Sequence, residues 1–184
     1  MLPSGENFIK YDNKSESRRI IIMASNEGLR LLSNSEWWMS DGTFKFSPTT
    51  LLDRFHQFYC YHGELMEDTF PFVYVLMERR ETEDYNEVGS QITKMMRDLG
   101  YPIRICQGGS SYTDMEQAAI QANHVHLPGC QCKICLFHLG QMSTKVVRDL
   151  GLRGLQMKDA TFAREVRMIN SIALVPKMLI VKYC

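Results

Sequence analysis

Trp37 to Pro48 read WWMSDGTFKFSP, and this segment decides how the rest of the chain is interpreted. It places one acidic residue, Asp41, between two tryptophans and a run in which Phe44 and Phe46 alternate with polar residues. An alternation of period two is typical of a half-buried β-strand. A carboxylate with aromatic cover is costly to ionise unless a cation or donors meet it, so Asp41 is a candidate functional residue. The structural alternative is a turn, because Asp-Gly is a common turn dipeptide.

The composition limits the classes of protein that the chain can belong to. It has 184 residues, 21 basic and 21 acidic side chains and 45% hydrophobic residues, which is typical of one folded domain with a real core. A formal net charge of zero gives no overall basic footprint, so any affinity for DNA has to be local. No apolar run reaches the roughly 20 residues of a membrane span, and the N-terminus has no signal-peptide pattern. We therefore expect an intracellular protein with no membrane partner.

Three of the six cysteines lie close together in the segment GCQCKICLFH. Cys130, Cys132, Cys135 and His138 supply four soft ligands, which could form a compact Zn²⁺ site. In the alternative interpretation only Cys135 and His138 form a local structural pair, and the other two are reduced bystanders. The single residue between Cys130 and Cys132 is an unusual spacing for a tetrahedral zinc knuckle.

The first half of the chain is predicted to consist mainly of strands. Residues 1–18 are polar and predict a loose lead-in, and the β-branched run 20–24 is either a strand or the anchor of a short helix that Ser25 caps. An antiparallel meander follows. Its three strands are predicted in the Asp41 segment, at 54–65 and at 69–79, with a hairpin turn at 63–68.

Helices and strands alternate in the second half. Apolar residues recur at helical spacing after Thr82, the predicted N-cap, as far as Gly100, the predicted C-cap. The remaining predicted elements are a strand at 101–106, a helix at 115–123, a cysteine-rich turn and strand at 130–137, and a helix at 138–150.

This order predicts an α/β fold with a mixed sheet of the ribonuclease H-like type. In such a sheet the fourth strand lies beside the first, so Asp114 at its carboxyl end is expected near Asp41. Two carboxylates can share a divalent ion, and oxygen-only ligation favours Mg²⁺ or Mn²⁺. The alternative for Asp114 is a structural N-cap of the helix that follows.

Several segments together resemble the transposase domain of Mutator-like elements. They are ESRRIIIMASNEGLRLLSNSEWWMSDGTFKFSP, FHQFYCYHG, PFVYVLMERRETEDYNEV, TDMEQAAIQA, CLFHLGQ and VRMINSIALVP. The resemblance runs from about Ser17 to Pro176. It implies that Asp41 and Asp114 are the first two members of a DDE triad, and that Cys135 and His138 form the family's C-x-x-H element.

The resemblance also implies an activity and a location. Family members are metal-dependent enzymes that cleave and transfer DNA strands at transposon ends, so Mg²⁺ or Mn²⁺, DNA and the nucleus are expected. The family's glutamate lies beyond the segment matched by VRMINSIALVP, and Glu116 and Glu165 are the candidates to replace it. Neither lies where the family has its glutamate, so we predict a C-terminally truncated and catalytically incomplete domain.

The predicted organisation is a polar lead-in at 1–18, a transposase domain at 19–176 and a truncated tail at 177–184. The alternatives are a domesticated, non-catalytic module that binds DNA or protein, and a small zinc-binding domain. The apolar ending, IALVPKMLIV, also predicts self-association.

Overall fold

The computed structural model describes residues 1–43 and 54–175. The predicted alternation of Phe44 and Phe46 and the tail at 177–184 therefore lie outside the described residues.

The chain divides into two compact units, Met1–Lys133 and Ile134–Cys184. None of the helices within the described ranges is long and apolar enough to cross a membrane.

One mixed sheet of seven strands organises the first unit. The strands follow the order β1-β2-β5-β4-β3-β6-β7. They are β1 (Ile9–Asp12), β2 (Ile20–Ala24), β3 (Trp37–Thr43), β4 (Gln57–Leu65), β5 (Asp68–Met77), β6 (Ser110–Thr113) and β7 (Gln131–Ile134). Neighbours from β1 to β3 in this order pair antiparallel, whereas β3 and β6 pair parallel. The mixed sheet and the predicted meander of β3, β4 and β5 are confirmed.

Three helices of the first unit contribute to the core: α1 (Asn26–Asn34), α2 (Thr82–Asp98) and α3 (Gln117–His126). Apolar residues at helical spacing in α1 and α2 meet alternate residues of the central strands in one core. Each fully buried aliphatic side chain of this kind contributes about 1.5–3 kcal/mol. The core members include Ile22, Leu29, Leu32, Trp38, Val73, Val75, Val88, Ile92 and Met96.

Local sequence signals set most of the boundaries. Ser25 is the N-cap of α1, and its hydroxyl accepts a hydrogen bond from the Gly28 backbone N–H, as predicted. The hairpin turn between β4 and β5 is confirmed, with positive φ angles at Met66 and Glu67. The predicted N-cap at Thr82 is wrong by one residue, because Glu81 forms a reciprocal capping box with Asp84.

Two elements differ from the sequence prediction. The predicted loose lead-in contains β1, which pairs with β2 and adds a strand to the sheet. The predicted strand at 101–106 is wrong, because residues 104–106 form a 3₁₀ turn and the strand lies at Ser110–Thr113. The turn buries Ile105 completely. The backbone then passes so close to Glu36 and Ile105 at Gly109 that a Cβ there would have no room.

The second unit is helical. It contains α4 (Leu136–Asp149), α5 (Arg153–Lys158), α6 (Ala160–Ser171) and a 3₁₀ turn at Ile172–Leu174. Ser143 of α4 is hydrogen-bonded to Asn170 of α6 at 2.5 Å, and Asp159 caps α6. The predicted helix at 138–150 is confirmed, although it begins two residues earlier.

The glycine beside Asp41 has a packing reason that the sequence does not reveal. Gly42 lies within β3, so the turn interpretation of Asp41-Gly42 is wrong. A Cβ at this position would collide with the buried side chain of Gln57 and press on the ring of Tyr59. A glycine inside a strand often marks such a close approach.

We expect Gly42→Ala to destabilise the protein by about 1–3 kcal/mol, because the added methyl overpacks the core. Urea unfolding, followed by circular dichroism, measures this. The control is Gly154→Ala on α5, where the added Cβ meets nothing within 4 Å. Equal effects of the two substitutions would contradict the packing explanation.

Candidate functional site

Asp41 lies on β3, on the face of the sheet opposite the helical core. The side chains of its neighbours Ser40 and Gly42 face the core, whereas Asp41 is half-buried on the other face. Its backbone partner on β4 is Cys60. Burial raises the pKa of the Cys60 thiol to about 11, and the negative charge of Asp41 adds to the rise. A carboxylate therefore stands on this face with a protonated thiol beside it.

Asp114 directly follows β6 and is also half-buried. Its Oδ1 accepts a hydrogen bond from the Glu116 backbone N–H at 3.1 Å and lies 3.4 Å from the Thr113 hydroxyl, which donates to it. Glu116, not Asp114, is the N-cap residue of α3. The simple N-cap alternative for Asp114 is therefore wrong, and its carboxylate instead fixes the tight turn between β6 and α3.

The parallel pairing of β3 with β6 brings the two aspartates to the same end of the sheet. The partners are Trp37 with Ser110 and Met39 with Tyr112. Continued by two residues, this register sets Asp41 level with Asp114. Neighbouring strands lie about 4.7–4.9 Å apart, and residues two apart share a face. The arrangement therefore suits two carboxylates that approach a common ion.

A cluster of buried polar side chains lies on the opposite face, directly under the two aspartates. We call it the hydroxyl cluster, and its members are Ser40, Gln57, Tyr59, Tyr85 and Thr113. Tyr59 donates to Ser40 Oγ at 2.9 Å, and Tyr85 Oη lies 2.9 Å from Gln57 Oε1. Sequence analysis missed this cluster. Its members come from four elements, and only the alternation of Tyr59 and Tyr61 on β4 indicates buried tyrosines.

Glu116 belongs to the side of the hydroxyl cluster. Its Oε2 lies 2.8 Å from Tyr85 Oη. One hydroxyl proton cannot serve both Gln57 Oε1 and Glu116 Oε2. Either Glu116 is protonated and donates to Tyr85, or the Gln57 amide is turned so that its nitrogen, which otherwise has no hydrogen-bond partner, donates to Tyr85.

The carboxyl group of Glu116 has a raised pKa. Burial is the largest cause, and the Asp114 charge adds to it, whereas the Tyr85 hydrogen bond and Arg80 oppose the rise. Among residues 1–43 and 54–175, no three or more His, Cys, Asp or Glu side chains are grouped so that they could hold a metal ion. Glu116 therefore does not join Asp41 and Asp114 as a third ligand. Glu165 lies exposed on α6 of the second unit.

An open cleft lies at the same end of the sheet, next to Glu116. Its volume is about 360 Å³. It is lined by His56, Glu78, Arg79, Arg80, Glu81 and Glu116. Two consecutive arginines after β5 give this neutral chain a local positive element.

The predicted zinc ligands are divided between the two units. Cys130 and Cys132 belong to the first unit, and Cys135 and His138 belong to the second. All three cysteines are free thiols, and burial raises the pKa of Cys130 to about 11. Zinc ligation would need these thiols deprotonated. The four-ligand site stays a prediction, and the zinc content of the purified protein decides it.

We expect Glu116→Gln to raise the melting temperature at pH 7. A carboxyl pKa above the ordinary value of 4.5 means that the folded protein binds more protons than the unfolded chain between the two pKa values. Stability is therefore lost as the pH rises through that interval, and glutamine removes this loss. Thermal unfolding at pH 7 and below pH 4.5 should show that the difference between variant and wild type disappears in acid.

The control for this prediction is Glu64→Gln, which changes an exposed carboxyl group on β4. We expect no such pH-dependent difference. A difference for Glu116→Gln that persists below pH 4.5 would show that ionisation is not its cause.

Comparison with known proteins identifies the family. The sequence profile of the MULE transposase domain matches residues 37–142, which is 106 of the 184 residues. This range contains Asp41, Asp114, Cys135 and His138. No curated protein and no solved structure matches the chain. Because the match covers more than half of its length, the chain belongs to the MULE transposase domain family.

Proposed function

We propose that this chain contains the two-aspartate part of a DDE-type transposase site on a ribonuclease H-like sheet. The observation that supports this most is the parallel pairing of β3 and β6, which brings Asp41 and Asp114 to one end of the sheet. The strand order supports the fold: counted from β3 in chain order, the strands β5-β4-β3-β6-β7 follow the order 3-2-1-4-5. Strands β1 and β2 extend that sheet at its β5 edge.

The residues present fit a divalent metal of the Mg²⁺ or Mn²⁺ type. Asp41 and Asp114 offer only oxygen atoms, which these hard cations prefer, and both are half-buried rather than fully solvated. Such ions, when bound, activate an attacking oxygen and stabilise a leaving oxygen in phosphoryl transfer. The contribution of the chain is to hold two carboxylates on rigid neighbouring strands, so that little reorganisation is needed on binding.

DNA is the partner that fits the cleft beside this site. Arg79 and Arg80 line it at the end of the sheet where Asp41 and Asp114 lie. Arginine is the residue that best matches phosphate geometry. One acidic neighbour is already engaged, because Glu78 accepts from the Arg19 backbone N–H at 2.9 Å and pairs with Arg54 at 3.5 Å. Transposon ends, and a nuclear location, follow as proposals from the family.

We propose that the 184-residue chain binds metal but does not cleave DNA. Two carboxylates leave a pair of ions under-coordinated, and in the described ranges Glu116 is turned toward Tyr85 rather than toward Asp41. Catalysis of this kind depends on fixed ligands of the right number and geometry.

A second candidate function is that of a non-catalytic interaction module. The second unit has many large apolar side chains that are exposed, among them Phe137, Leu150, Met157 and Leu174, each at least 66% accessible. Exposed apolar patches often mark sites of protein association. Self-association, or binding of another protein, is the consequence that we propose from this observation.

We expect no nicking of supercoiled DNA with Mg²⁺ or Mn²⁺ beyond that of an Asp41→Ala control. Mn²⁺ binding, measured by electron paramagnetic resonance, should nevertheless be detectable. It should weaken about tenfold to a hundredfold in Asp41→Asn and Asp114→Asn.

Metal-dependent nicking that disappears in Asp41→Ala would contradict the inactive interpretation. It would mean that another carboxylate of the chain, such as Glu165, completes the site. Mn²⁺ binding that is unchanged by both asparagine variants would contradict the metal site itself.

A further inference from the structure

The tyrosine at the centre of the hydroxyl cluster joins the two strands that carry the aspartates. Tyr59 lies on β4 and is 1% exposed. Its hydroxyl donates to Ser40 Oγ at 2.9 Å and is also hydrogen-bonded to Thr113. Both partners are themselves buried, at 2% and 0% exposure.

The positions of these two partners in the sequence give the contact its significance. Ser40 directly precedes Asp41, and Thr113 directly precedes Asp114. Successive side chains of a strand point to opposite faces, so a bond between Ser40 and Thr113 on the core face holds the backbone that presents both carboxylates on the other face. Thr113 also donates to Asp114 Oδ1, at 3.4 Å.

The backbone pairing alone does not reach this level of the sheet. The described partners of β3 and β6 end at Met39 and Tyr112. One residue further, the two strands are joined through the side chain of Tyr59. This hydroxyl therefore continues the connection between β3 and β6 at the point where the aspartates begin.

The bland explanation for Tyr59 is that it fills the core. Its ring does pack edge-on against Tyr61 and Tyr85, with centroids 5.3 Å away in each case. A phenylalanine would make these ring contacts equally well and would not bury a hydroxyl, which is unfavourable unless it is hydrogen-bonded. Burial, with the negative charges of Asp114 and Glu116, also raises the pKa of Tyr59. The hydroxyl therefore keeps its proton and remains a donor at neutral pH.

We propose that Tyr59 is a positioning residue, whose hydroxyl sets the spacing of Asp41 and Asp114 by joining Ser40 to Thr113 beneath them. This inference rests on the proposed metal site. It adds a residue that touches neither metal nor DNA and acts through the two strands.

The test compares Mn²⁺ affinity in variants that differ by one hydroxyl. Tyr59→Phe and Thr113→Val each remove a hydroxyl and keep the shape, and both should weaken Mn²⁺ binding about tenfold. Thr113→Ser keeps the hydroxyl and loses only a methyl, so it should bind Mn²⁺ nearly as well as the wild type. The matched control is Tyr61→Phe, a buried tyrosine two residues away on the same face, which should leave Mn²⁺ affinity unchanged.

The outcomes separate this inference from the proposed function. Wild-type protein that shows no Mn²⁺ binding dependent on Asp41 overturns the proposed metal site. Asp41-dependent binding that is the same in Tyr59→Phe, Thr113→Val and wild type overturns the role of Tyr59. If Tyr59→Phe does not fold, as judged by circular dichroism, the threonine pair decides. Equal weakening by valine and serine would assign the effect to packing of the methyl group and overturn the proposal.

Discussion

The candidate site depends on the pairing of β6 with β3, and this pairing is held by contacts on both faces of the sheet. On the core face, Asn123 of α3 donates to the buried Ser111 hydroxyl at 3.0 Å. On the other face, Trp37 and Tyr112 pack edge to face with ring centroids 6.5 Å apart. At the entry to β6, Gly109 allows the chain to pass against the carbonyl of Glu36. Loss of this pairing would separate the two aspartates whatever happened to the rest of the core.

The two faces of β3 divide stability from function. Alternate residues Trp38 and Ser40 are buried under the helices, and the indole of Trp38 donates to the Leu32 carbonyl at 2.8 Å. Asp41 faces the other way, where it adds no buried charge to the core. A shift of one residue in the register of β3 would exchange the two faces and bury the carboxylate. The extensive burial of this strand is therefore also what fixes the direction of Asp41.

The features that could be predicted are those with a local signal. The N-cap at Ser25 and the strands of the meander follow from capping residues and from apolar periodicity within a few positions. Strand β6 has the sequence Ser-Ser-Tyr-Thr, which has no apolar alternation, whereas the neighbouring Tyr101 to Cys106 does. The prediction therefore chose the wrong segment. Only the approach of Gly109 to Glu36, a contact between distant parts of the chain, selects the right one.

Of the candidate site, the family motif identified Asp41 and Asp114, but no pattern within the sequence identified what lies beneath them. Tyr59 is 19 residues from Ser40 and 54 residues from Thr113. A hydrogen bond between such residues is a property of the folded sheet and not of any segment. The cysteine cluster shows the converse error, because Cys130 and Cys135 are close in sequence and yet belong to different units.

Glu116 shows why proximity in sequence to Asp114 does not make a third ligand. The short turn after β6 places it at the start of α3, and Tyr85 of the core holds its carboxyl group on the helical side of the sheet. Asp41 faces the opposite side. A ligand that joined both aspartates would have to approach from the face that bears Cys60, since the core face beneath them is filled by Tyr59, Gln57 and Tyr85. Any carboxylate that completes this site must therefore come from a segment that covers the face opposite α2 and α3.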